Sequence, residues 1–140
     1  MGRNAAIVAV LVLWAAPTFA QPHPCDVTPG PVDTKVPFAA GVCWSGLDTD
    51  DNPSSPLTAL RVLVDGVVIA TVANPTPEGA ANAAGESFYR VPGLSVPKGA
   101  RVLTFVAVNA EGESVPSDAY SFRVIGAAPA KPGKPRVEAR

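Results

Sequence analysis

Apolar and polar residues alternate in short runs along most of this chain, and none of the runs after residue 20 keeps a helical period. Alternation at a period of two puts every second side chain on one face of a strand. In "FAAGVCW" that face carries Phe38, Ala40, Val42 and Trp44. "LTALRVLVDGVVIATV" reads as a hairpin turning at Asp65-Gly66, a pair suited to a tight turn that needs positive φ at both central residues. "ESFYRVPGL" predicts a strand that stops at Pro92-Gly93. "ARVLTFVAVN" aligns Leu103, Phe105 and Ala107, and "AYSFRV" aligns Tyr120, Phe122 and Val124. Clusters of Pro, Gly, Asn, Asp and Ser separate the runs. Short strands at such spacing predict an all-β sandwich or barrel. Val62, Leu94, Phe105, Phe122 and Trp44 are its expected core residues.

The first twenty residues follow a different pattern. "MGRN" carries a positive charge, "AAIVAVLVLWAA" is a run of twelve apolar residues, and "PTFA" ends in small ones. That order is a secretory signal peptide, residues 1–20, and the run is well short of the roughly 20 residues a spanning helix needs. A mature chain of residues 21–140 with no membrane span is expected, secreted or periplasmic. It divides into an N-terminal extension (21–29), one domain (30–126) and a Pro-rich, basic, disordered tail (127–140).

Charge separates the last two. Residues 21–126 hold six Lys/Arg against eleven Asp/Glu, whereas 127–140 hold Lys131, Lys134, Arg136 and Arg140 against Glu138. An acidic body argues against nucleic acid as a partner. Two cysteines, Cys25 and Cys43, make an even count in an exported chain and predict a disulfide. Closing that loop adds about 3 kcal/mol by the chain-entropy argument. Since Val42 and Trp44 face inward, Cys43 faces outward, and the bridge would pin the N-terminal segment across the outside of its sheet.

The order "VCWSG", "LRVLVDG", "YRVPGLSVPKGA", "VAVNAEGESVPS" resembles a fibronectin type III domain over roughly residues 30–125. The resemblance implies a seven-stranded antiparallel β-sandwich of the immunoglobulin-like superfold. It implies that Trp44 is the core tryptophan and Leu94 the leucine plugging one end. Ala107, Asn109, Gly112, Ser114 and Ser117 match the pattern following the sixth strand. There Asn109 bonds backbone at the strand's end, Gly112 permits the turn and Ser114 steadies the return. Two positions depart from the family. Arg101 stands where a tyrosine usually bonds the preceding turn, and "GLSVPKGA" lengthens the Gly-Leu turn. They leave a related immunoglobulin-like sandwich open.

Catalytic chemistry finds few residues to use. His23, the lone histidine, lies in the N-terminal "QPHPC" segment, so no Ser-His-Asp or Cys-His set can be built inside the sandwich, and one histidine with two bridged cysteines makes no tetrahedral metal set. "DTDDN" alternates Asp48, Asp50 and Asn52 like the first half of a calcium loop. Pro53 and Ser54 then follow where a glycine turn belongs, and no glutamate closes the loop. No metal and no cofactor are expected, and no enzymatic activity. The expected function is non-catalytic binding or adhesion, directed at an envelope or extracellular protein or a polysaccharide. The expected site is one end of the sandwich, with Asp48, Asp50, Asp51, Asn52, Glu111 and Glu113 as its polar residues, on a monomer. The alternatives are a structural spacer or truncated piece of a tandem array, and an inhibitor of an extracellular enzyme.

Overall fold

The computed structural model describes residues 21–126 and 130–139. The expected signal peptide lies outside the described residues, as do 127–129 and Arg140 of the tail. Residues 130–139 are exposed and form no regular structure.

Eight strands follow a short 3-10 turn at Pro24–Asp26. They are β1 (Val32–Thr34), β2 (Phe38–Trp44), β3 (Leu57–Val64), β4 (Val67–Ala73), β5 (Ser87–Leu94), β6 (Gly99–Asn109), β7 (Gly112–Glu113) and β8 (Tyr120–Val124). The larger sheet has the order β1-β8-β6-β3-β4, with β7 added to the end of β6, and the smaller sheet is β2-β5 alone. Seven antiparallel strands were expected. The eighth is β7, two residues paired where the chain doubles back on Asn109. One pairing is parallel, because β1 enters from the end where β6 finishes and runs alongside β8.

Alternation sorts the side chains as the pattern implies. The larger sheet turns Leu60, Val62, Val64, Leu103, Phe105, Phe122 and Val124 inward, and the smaller meets them with Phe38, Ala40, Tyr89, Val91 and Leu94. Val62, at the centre, is wholly buried. The Phe38 and Phe122 rings pack tilted at 5.3 Å between centroids, joining the sheets beside the connection from β1 to β2. Trp44 is half-buried and packs against the margin of this core rather than within it, because β2 ends there. The fifth strand does not stop at Pro92-Gly93. A bulge opposite Ala39 absorbs both residues, and Leu94 pairs with Phe38 and is buried. Proline is tolerated there because a bulge interrupts the ladder anyway.

A two-stranded sheet has an outer face to protect as well. Cys25 and Cys43 form a disulfide that holds the 3-10 turn against this face, closing a separation of 18 residues. His23 Nε2 lies 2.9 Å from the Ala80 carbonyl, and the Asn82 side-chain amide donates to Asp26 at 2.7 Å. Next to the disulfide, the Phe88 ring lies over Gly41, so close that a β-carbon there would overlap it. Arg90 stacks on Phe88 at 5.5 Å and donates two hydrogen bonds to Glu78. Glycine thus makes room for an aromatic ring that covers its own backbone.

The end opposite Asn109 is tied by charge. Asp65 and Gly66 both take positive φ, 52° and 81°, in the β3–β4 turn. Asp65 accepts from the Val102 amide at 3.0 Å and from Arg101 at 3.1 Å. Arg101 also donates to the Pro97 and Lys98 carbonyls, at 3.0 and 2.9 Å. The guanidinium therefore ties the start of β6 to the preceding turn and to the neighbouring hairpin. The Val102 amide first, and then Arg101, holds the Asp65 carboxyl below its ordinary range.

Gly41→Val should cost about 1–3 kcal/mol through overpacking against Phe88. In a Phe88→Ala background it should cost much less, so a double-mutant cycle of melting experiments reads the contact directly. Asp65→Asn keeps the turn conformation and removes the charge. Because the folded-state pKa is depressed, the stabilisation exists above the ordinary carboxylate pKa of about 3.9 and fades as pH falls through the depressed value. The variant should melt below the parent at pH 7, and the gap should narrow below about pH 4.

Candidate functional site

At the end where β2 and β6 finish, two connections lie side by side: residues 45–56 between β2 and β3, and the turn from Asn109 through β7. Both loops are built by short polar side chains. Asp48 Oδ1 accepts from the amides of Asp50 and Asn52 at 2.8 and 2.9 Å, folding "DTDDN" around its own first carboxylate. Asp51 takes a positive φ of 61° within that turn, and Leu47 bridges to Pro53. Local carboxylate-to-amide bonds of this kind are what Asp does in turns.

Asn109 joins the two loops. Its amide nitrogen donates to the Ser54 hydroxyl at 2.9 Å, and its oxygen accepts from the Glu111 amide at 2.9 Å. The two serines of the motif carry the ladder onward after β7. Ser114 Oγ accepts from the Ala107 amide and Ser117 Oγ from the Phe105 amide, each at 2.9 Å. Their own amides donate to the Ala107 and Phe105 carbonyls respectively, each at 2.8 Å. Asparagine at the strand end and serine at the third and sixth positions beyond β6's turn are thus a hydrogen-bonding scheme for an irregular return.

Between the loops lies an open groove of about 310 Å³. Trp44, Leu47 and Leu57 supply its apolar surface, and Asp48, Thr49, Ser54, Asn109, Glu111, Glu113 and Ser114 its polar walls. Leu47 is 41% exposed and presents its side chain to the groove. Glu113 is ion-paired with Arg61 on the outer face of the larger sheet, so its charge is partly answered. Among the described residues, the Glu111 carboxylate and Asp48 Oδ2 have no hydrogen-bond partner.

Of the six polar residues singled out from the sequence, the structure brings Asp48, Glu111 and Glu113 to the groove. Asp50, Asp51 and Asn52 lie in the adjoining turn, exposed and not on its walls. Leu47, Leu57 and Ser54 were not singled out. Leu47 falls in a loop with no apolar neighbour to signal it, and Ser54 matters only through Asn109, 55 positions away. Among the described residues no three acidic, histidine or cysteine side chains gather as a metal site requires. No helix of the described residues is long and apolar enough to cross a membrane.

The chain matches no known family profile and no curated protein sequence. Among solved structures, the fibronectin(III)-like modules of Clostridium thermocellum CbhA are similar. They share 14% sequence identity over 69% of this chain and 88% of that one, with a TM-score of 0.32.

With Asp48 Oδ1 committed to its own loop, the turn should not capture calcium. Millimolar calcium should leave the melting temperature unchanged, whereas a rise with concentration would indicate a bound ion.

Proposed function

We propose that this chain is a non-catalytic, exported binding module, engaging an extracellular or envelope partner through the groove between residues 45–56 and the turn after Asn109. One observation carries the reading: a tryptophan and an exposed leucine form the apolar surface of a concave site whose walls are hydrogen-bonded polar loops. Sites for small or extended ligands combine those features, apolar contact area with a few polar groups that set orientation. The frame beneath is rigid and sandwich-like, the arrangement in which end loops carry specificity. The disulfide fits an oxidising compartment, secreted or periplasmic.

A spacer role is the second reading. It is favoured by the entry of β1 at one end of the sandwich and the departure of β8 at the other, which suits a module strung along an extended chain.

Crosslinking capture from native envelope and medium separates the two. The parent should enrich a partner that a chain carrying Asp48→Lys and Glu111→Lys fails to recover, with both chains melting alike. Recovery of the same proteins by both would remove the groove from the function and leave the spacer.

A further inference from the structure

The segment after β8 has an order that its composition hides. In "PAKPGKPR", prolines stand at 129, 132 and 135 and lysines at 131 and 134. Polyproline II has three residues per turn, so a three-residue period lines the prolines along one edge of such a helix and the lysines along another. In that conformation the segment would present an apolar edge and a cationic edge. Aromatic-lined grooves take Pro-rich rods because little chain entropy is lost on docking. The groove of this same fold offers the complementary surfaces: Trp44, Leu47 and Leu57 for the prolines, Asp48 and Glu111 for the lysines.

Geometry decides whose segment fits. Val124 pairs with Gly99, at the start of β6, while the groove lies beyond Asn109, at its end. The 11 residues of β6 rise about 33 Å. From Gly126, the eight residues to Lys134 span at most about 29 Å fully extended, even without a turn back toward the body. The Pro/Lys repeat therefore stops short of the groove in its own chain, but projects from the end that faces the groove of a following copy.

We infer that the groove takes the Pro/Lys segment of a second copy, linking modules head to tail. This deepens the binding role proposed for the groove and rests on it. The contact is heterologous, so association is open-ended and rises with concentration. It is also screened by salt, since lysine and carboxylate meet in the open.

The test titrates the full chain with a labelled peptide of residues 127–140 at low salt. Saturable binding is expected, with a change in tryptophan fluorescence. About a tenfold loss is expected when the peptide carries Lys131→Glu and Lys134→Glu, or the chain Asp48→Lys and Glu111→Lys, since each pair replaces attractions by repulsions. A peptide of the same composition with prolines off the three-residue period should bind weakly. Reversed chain and reversed peptide together should recover binding. Equal binding by the rearranged peptide would reduce the effect to net charge and overturn the inference, as would the absence of saturable binding. If the peptide fails while capture of another partner still depends on Asp48 and Glu111, the binding role stands and the head-to-tail contact falls. If both fail, the groove has neither role.

Discussion

Two antiparallel strands do not hold together in water by their own hydrogen bonds, and β2 and β5 are a sheet of two. Everything that makes this chain a sandwich follows from that constraint. On the inside, Phe38, Ala40, Tyr89, Val91 and Leu94 are buried against the larger sheet, and burial of such side chains is the main favourable term in folding. On the outside, a covalent bridge and an aromatic ring add to that support. Cys43 and Gly41 are alternate residues of one strand, and their outward positions are used by a disulfide and by Phe88. The smaller sheet is thus clamped from both faces.

The two ends of the sandwich are finished differently. At one, Asp65 and Arg101 knit a hairpin turn, a strand start and a preceding loop into a single charged network. At the other, polar side chains stabilise each loop separately and Asn109 alone joins them, leaving a concavity. Concave surface on a rigid frame is where recognition is expected. Both ends carry connections that cross between the sheets, but the first also holds the tight β3–β4 hairpin, while the second holds the longer β2–β3 connection, residues 45–56.

Much of this is legible in the residues. Asp65-Gly66 requires its turn, alternation in "LRVLV" and "VLTFV" requires a buried face, and Cys43 between Val42 and Trp44 requires an outward thiol. The expectation that Trp44 lies within the core overlooks the end of the strand: alternation fixes which face a residue takes, not how far it stands from the centre. The bulge at Pro92-Gly93 defeats a period-two reading because two residues there oppose one. That Arg101 would reach three groups at once, Asp65 and the Pro97 and Lys98 carbonyls, is not legible from its position in the sequence. The groove was half legible. Its acids stand out as a cluster, but its apolar surface joins Trp44 to Leu47 and Leu57, which are ten positions apart and united only by folding.

The placement of β1 bears on how the domain would carry tension. β1 lies parallel to β8, so opposed pulls on the flanking chain load their hydrogen bonds together in shear instead of peeling them one at a time. β1 also lies inside the loop that Cys25 and Cys43 close. While the bridge is intact, force arriving before Cys25 has a covalent path into β2 that bypasses β1. Opening the bridge routes the same force through the three residue pairs of β1 and β8. The mechanical role of this contact is therefore set by the oxidation state of two sulfur atoms outside it.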